Sequence, residues 1–539
     1  MLPRRFWILI LIPALTFLMV FFYYPIALVL KEGLSASALL SVLSNSYYRH
    51  VITFTILQAL GSTLLTLAIG LPGAYLFANY EFPGKRFLRA VLTVPFVMPS
   101  IMVALGFILL FGKQGFITTL LGRDLGILYS WKAILLAHAF YNFPVVVRMV
   151  SSLWERINPH YEEAAMSLGA KGFTLFRKVT LPMLSPAIFA SAMLTFVFCF
   201  LSFSIPLILG GYKYSTIEVA IFTAIITMLD FRTGAALAVI QMALSFAFMY
   251  LYLKSLEKYA KAEEQRVLRK PKKLTLREML SLKGLAIALY SVVVFVFILA
   301  PLLAVVYDSL TWNGNFTLEF YRRLFDSSYN PIFGSDSLHA IIWSFTFGFT
   351  TVLLATLIAL AMAYSSLRWD LPGKTFMDVL VTLPLGSSAI IIGLGYIKAF
   401  HKPPLLLLGS PYLIIAAHTV IAYPFALRAI SSSLKKIRAS LREAAMSLGA
   451  TDFKAFLKVE LPLAFGGVLV GAVFSFAMSI AELGATYMIY QPKYTTITIA
   501  IYRYLGSRQF NSASAMAVVL MIVSLVGFLL IERTGEEVW

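Results

Sequence analysis

Few residues of this 539-residue sequence could do chemistry, and those that stand out by type and spacing form a repeated polar motif. Residues 163–170 and 443–450 both read Glu-Ala-Ala-Met-Ser-Leu-Gly-Ala, so Glu163, Ala164, Ala165 and Gly169 return as Glu443, Ala444, Ala445 and Gly449. Nine residues after each glycine comes Val-x-Leu-Pro, at 179–182 and 459–462. A carboxylate followed by good helix formers and closed by glycine predicts a short helix. The dipole favours the carboxylate in the first turn, and glycine supplies the left-handed residue that ends it. Such a small-faced helix can enter a groove on a partner with little side-chain entropy lost. Pro182 and Pro462 then fit the first turn of the helix that follows. The chemistry is mechanical contact rather than catalysis. The blander alternative is a tight turn docked on the protein's own inner surface, but lipid packing does not demand two identical polar octapeptides.

The remaining candidates are single residues in apolar surroundings. Glu482 is the one acidic residue well within a predicted membrane span, if that span continues to about residue 489. A central acid costs about 2.5 to 3.5 kcal/mol on insertion scales, so it must face protein or water. It therefore either lines a passage or pairs with a polar group such as Ser479 or a helix end. Its counterpart in the other half of the chain is Ser202. His138 and His418 are also counterparts, and a histidine pair invites a metal reading. No second ligand accompanies either at helical spacing, so neutral histidines satisfied by nearby backbone are expected, and no metal or cofactor. The single cysteine, Cys199, excludes an intrachain disulfide and a thiolate cluster. No clustered nucleophile, base or metal set marks an enzyme, and no Gly-x-x-x-x-Gly-Lys-Ser/Thr loop is present to hold nucleotide phosphates.

The elements that must position these residues are membrane helices. The chain is 60% hydrophobic and 13% charged, with mean hydropathy +0.84, about half the charge of a soluble domain. A bilayer core of about 30 Å takes about 20 helical residues, and twelve uncharged stretches qualify. They are 6–30, 51–80, 90–112, 133–147, 183–212 and 233–253, then 284–307, 340–367, 379–397, 403–427, 461–481 and 509–531. The fourth is the shortest and spans only if Lys132 and Arg148 snorkel. The start, Met1-Leu2-Pro3-Arg4-Arg5 and 25 uncharged residues, resembles a signal peptide. Its apolar run exceeds an h-region of about 7 to 15, so a retained first helix is expected. With both termini cytoplasmic, the inner segments carry +14 of the +19 net charge and the outer ones +5, as the positive-inside rule requires. The basic excess is thus topology, and a nucleic-acid partner is excluded. Trp7, Trp131, Trp343 and Trp369 fall at predicted interfaces, where indole is favoured.

The chain divides into a first half (1–253), a basic cytoplasmic linker (254–284) and a second half (285–539). A short interfacial helix over 274–282 is the alternative reading of part of the linker. Residues 82–95 align with 371–384 at an offset of 289, and later segments align at 280: Ala137 with Ala417, Pro144 with Pro424, Arg148 with Arg428, and 212–217 with 492–497. An even number of spans per half gives a pseudo-two-fold axis along the membrane normal, and a pathway between the halves. Pro95 with Pro99, and Pro384, predict broken helices in spans three and nine, where they line a cavity or are buried in protein.

The octapeptide and its Val-x-Leu-Pro identify where this sequence resembles a known family. It resembles the membrane component of binding-protein-dependent ABC importers, whose hallmark is a cytoplasmic Glu-Ala-Ala loop ending in Ile-x-Leu-Pro; valine for isoleucine is the departure. The fusion of two halves, with Gly112-Lys-Gln-Gly-Phe116 and the stretches 134–144 and 215–221, is similar to the ferric-iron and thiamine importers, leaning to the thiamine branch. The resemblance implies an all-α permease of twelve transmembrane helices in two parallel six-helix repeats, of the type I importer class, in the cell membrane. It implies two copies of a separate ATPase, one under each loop, and an extracytoplasmic solute-binding protein received by outer loops 31–50, 113–132 and 308–337. The rival from another class is a secondary transporter driven by an ion gradient, which lacks a relay of intramembrane ionisable groups here.

Overall fold

The computed structural model describes residues 5–263, 271–273, 281–326, 337–368 and 380–533. Within them lie 10 helices long and apolar enough to cross a membrane, or up to 12 if each of two bent pairs is one span. Their outward faces carry apolar side chains at helical spacing, such as Leu57, Leu60 and Leu64, exposed to the lipid position.

The proline-marked breaks occur where expected. Met98 leaves the helical region (ψ 135°) ahead of Pro99, separating helix Lys85–Val97 from Ser100–Phe111, because the proline ring disfavours helical backbone in the residue before it. In the second half a 3-10 turn Leu383–Gly386 is followed by helix Ala389–Ala399, the two bent by 111°. Ser388 caps the new helix, accepting from the amides of Ile390 (3.1 Å) and Ile391 (3.4 Å).

Other expectations need correction. The fourth span is not marginal: helix Trp131–Arg156 has 26 residues and carries on past Arg148 towards the inner face. The tenth begins at Pro411, not 403. The fifth and eleventh do not open at their proline. Helix starts at Gly172 or Asp452, and Pro182 and Pro462 are absorbed by a π turn, Phe176–Thr180 or Phe456–Glu460. There the amide of Leu181 or Leu461 reaches back to the carbonyl of Phe176 or Phe456. The wider turn makes room for a ring that would otherwise strike the carbonyl four residues back. The second-half helix bends by a further 73° at Ala464. Breaks follow in both spans: Leu181–Phe200 stops short of 212 and gives way to Ser204–Leu209, while Phe465–Ala481 ends at 481 as expected and its continuation to about 489 is a break and then Gly484–Ile489. After each comes a further short helix, Ile217–Phe222 or Ile497–Gly506, largely buried where an outer loop was expected.

Within each half the second, fourth and fifth spans pack together through small residues: a Cβ on Gly70 of the second span would strike Val146 of the fourth, and one on Gly467 or Gly471 of span eleven would press on Ser433 or Ala426 of span ten. In lipid, where apolar burial does not drive helices together, such close backbone approach does. The first span of each half crosses to the other. The hydroxyl of Tyr23 donates to the carbonyl of Leu380, and Pro25 lies against Gly395. Reciprocally, helix Leu282–Leu310 places Pro301 against Gly106, and the Tyr290 hydroxyl donates to the carbonyl of Ile69 at 2.9 Å.

The last helix of the first half, Phe231–Glu263, runs ten residues beyond its expected end at 253. Lys272–Lys273 of the linker then pairs in parallel with Tyr80–Glu81 at the C-terminal end of span two, in the register Tyr80 to Lys272 and Glu81 to Lys273. Most of the alternative interfacial helix at 274–282, the repeat segment 371–379 and Trp369 lie outside the described residues, as does the side chain of Trp7.

Candidate functional site

The two octapeptides form matching helices, Pro159–Ser167 and Ala439–Ser447. Each ends in the same two bonds. The amide of Gly169 reaches the Met166 carbonyl (2.9 Å) and that of Ala170 the Ala165 carbonyl (3.0 Å); Gly449 and Ala450 reach Met446 and Ala445 at the same distances. This is a Schellman terminator, and it requires the left-handed φ found at both glycines, 86° and 87°. Terminating there leaves Leu168 and Leu448 projecting with 90% and 89% exposure. Two such leucines on short polar helices are apolar contact points without a cover.

Each helix is tied to the span that follows, by different chemistry from the same position of the loop helix. In the first half the Thr180 hydroxyl donates to Glu162 at 2.7 Å; in the second, Arg442, at the position of Glu162, pairs with Asp452. Glu163 itself is exposed and bonded to His160 Nδ1 at 2.9 Å. The π turn adjoins this tie at the foot of span five or eleven.

The residues expected deeper in the membrane are placed as follows. Glu482 sits in the break of span eleven and caps the next short helix, one oxygen accepting from the Ala485 amide (2.8 Å), the other from the Thr486 amide (2.9 Å) and hydroxyl. His418 lies 3.6 Å from it and shares hydrogen bonds of 2.7 Å with Ser479 and Thr486. Thr498 donates to the Glu482 carbonyl at 2.7 Å. These side chains therefore hold a backbone break together. His138 and Ser202 are not gathered in the same way. His138 Nδ1 bonds Ser62 at 3.1 Å while its Nε2 has no partner among the described residues, and Ser202 has no side-chain hydrogen bond there. Among the described residues no group of three or more His, Cys, Asp or Glu could hold a metal ion.

Glu218 was missed. It is fully buried on the short helix after the first-half break, accepting from Gln241 at 2.8 Å and, across the junction of the halves, from Ser388 at 2.5 Å. Its counterpart at the 280 offset is Thr498, and that of Glu482 is Ser202, so the two halves place their buried acid on opposite members of the same pair of elements. The signal was present: 217–227 is an apolar run with one charge, too short to span and of the length of a re-entrant segment.

Of the loops expected on the outer side, 31–50 contains helix Ala36–Ser44 and 113–132 contains helix Phe116–Leu121. The described part of 308–337 holds a hairpin of Thr311–Trp312 with Asn315–Phe316 and helix Glu319–Leu324. Asp230, just before span six, is held below the usual carboxylate range by hydrogen bonds from Thr233. Lys398 and Glu32 pair there between the halves.

Comparison with known proteins agrees with this architecture. The chain is 24% identical to the thiamine transport system permease protein of Brucella abortus over 92% of its own length and 89% of the relative's. It is 26% identical to the protein of the same name from Salmonella typhimurium, covering 91% and 89%. It is 26% identical to a protein described as a ferric transport system permease of Haemophilus influenzae, covering 82% and 71%. The family described as the binding-protein-dependent transport system inner membrane component matches twice, at residues 70–260 and 352–534. With one match in each half and both containing the terminated loop helix, the chain belongs to that family, as a fused, multi-pass permease of an ABC importer.

Proposed function

We propose that this permease is driven by two copies of a separate ABC ATPase, each receiving one of the loop helices Pro159–Ser167 and Ala439–Ser447. The observation that carries the reading is the pair of identical terminators, which present Leu168 and Leu448 at matching places. Glu163, Ala164, Ala165 and Gly169, with Glu443, Ala444, Ala445 and Gly449, form the coupling surfaces. An extracytoplasmic binding protein delivers the solute to the outer loops, and both termini lie in the cytoplasm. Hydrolysis belongs to the partner, and this subunit converts it into movement of spans five and eleven. Family membership sets aside the ion-gradient alternative.

The solute is small, and thiamine is the first choice, since relatives named for it align over nine-tenths of the chain. Ferric iron is the second, from a relative aligning over 82%. Glu482 and His418 support the passage by fixing a helix break. The test is uptake into vesicles containing the permease, its ATPase and its binding protein, with labelled thiamine and ferric iron supplied in parallel, with and without ATP. ATP-dependent uptake of one solute is expected. Gly169→Asp with Gly449→Asp, which brings an uncompensated charge to each contact, should abolish uptake while the chain stays folded in the membrane. Retained uptake would refute the coupling assignment.

A further inference from the structure

The two breaks and the short helices after them meet at the junction of the halves, and the meeting is aromatic. Tyr487 lies on the helix Gly484–Ile489 that Glu482 caps. Its ring is 5.1 Å from Tyr502 of its own half and 5.1 Å from Phe222 of the other. Tyr502 and Phe222 are counterparts at the 280 offset. A ring equidistant from two symmetry-related residues lies midway between the halves, at the junction that any route lined by both must follow. The counterpart of Tyr487 is Leu207, so this central ring comes from the second half alone. Tyr490 stacks on Tyr487 at 5.5 Å with planes 21° apart, and is itself engaged by Arg503, whose guanidinium is 5.1 Å from its ring and donates to its hydroxyl. Phe203, just past the first-half break, extends the cluster through Phe222 at 5.4 Å. Tyr487, Tyr490 and Tyr502 are all partly exposed.

We propose that this cluster is a solute contact site at the junction of the halves, in which a flat heteroaromatic ring replaces the ring of Tyr487 between Phe222, Tyr490 and Tyr502 as the passage opens. The preference for such a ring rests on the reading of the solute as a thiamine-like molecule. Aromatic faces attract flat and cationic rings by dispersion and by their quadrupoles. The Tyr490 hydroxyl is engaged by Arg503, and the two buried acids on the neighbouring elements, Glu482 and Glu218, have both oxygens in hydrogen bonds. In the closed arrangement Tyr487 fills the slot; withdrawn, it exposes three faces that suit a similar ring. The site thereby acts as a gate and a selector.

The experiment uses the full transport complex in vesicles with labelled thiamine and ferric iron, comparing wild type with Tyr487→Phe, Tyr487→Leu and Tyr502→Leu, and reads ATPase stimulation by the loaded binding protein alongside uptake. Expected are thiamine uptake near wild type for Tyr487→Phe, and a loss of about tenfold or more for at least one leucine variant whose ATPase stimulation stays within about twofold. The retained stimulation shows that the variant is folded and docked. If wild type carries thiamine and both leucine variants carry it equally well, the site is overturned while the solute reading stands. If wild type carries ferric iron and not thiamine, the solute reading falls and the ring-binding site falls with it.

Discussion

Replacing Gly169 and Gly449 together by alanine tests whether loop termination, and not merely loop sequence, couples this permease to its ATPase. Nothing lies within 4 Å of where either new Cβ would sit, so no clash contributes. The cost is conformational: a residue with a Cβ held at φ of 86° or 87° loses about 1 to 2 kcal/mol. That lowers the population of each terminated loop about 5- to 30-fold relative to unravelled forms, yet it is confined to exposed segments and leaves the membrane core untouched. Insertion and thermal stability in detergent should therefore stay near wild type, while ATPase stimulation and uptake in reconstituted vesicles fall about tenfold. Asparagine tolerates the left-handed conformation, so the double asparagine variant should recover most of the loss. Wild-type uptake by the double alanine variant would refute the reasoning, as would equal losses for alanine and asparagine, which would place the requirement in the absence of a side chain.

Two further perturbations follow from the buried polar groups. Glu218→Ala strips an acceptor from Gln241 and Ser388 at about 1 to 3 kcal/mol for each stranded group, so its melting temperature should fall well below that of Glu218→Gln, which keeps shape and an acceptor; equal melting of the two would refute the cross-half bond. His418→Ala removes two side-chain hydrogen bonds and His138→Ala one, so the former should be less stable by about 1 kcal/mol, read as the difference between their unfolding midpoints in denaturant; a reversed order would contradict the assignment.

Much of the architecture was legible because membrane helices announce themselves by length and charge. The repeat at offsets 289 and 280 gave two parallel halves, the glycine after Glu-Ala-Ala-Met-Ser-Leu gave the loop terminator, and Pro99 and Pro384 marked their breaks. What escaped was the interior of the fifth and eleventh spans. No proline or glycine stands at Ser202 or Glu482 themselves, and hydropathy alone extends an apolar helix through both. The break at Glu482 is legible only once the carboxylate is seen to cap the helix after it, a tertiary arrangement completed by His418 and Thr498. Glu218 was hidden for a related reason: a mostly apolar run of eleven residues that includes one charge scores as a loop when only full spans are sought.

The crossing of the first span to the opposite half bears on how the molecule is made. The Tyr23 hydroxyl bonds a carbonyl 357 residues further along the chain. During synthesis this helix enters the bilayer long before the helix it must meet exists. It has to wait in lipid, unpartnered on that face, until more than two-thirds of the protein has emerged from the ribosome. The two halves therefore cannot mature one after the other as independent units, and severing the chain in the linker should yield fragments that assemble when produced together and are degraded when produced alone.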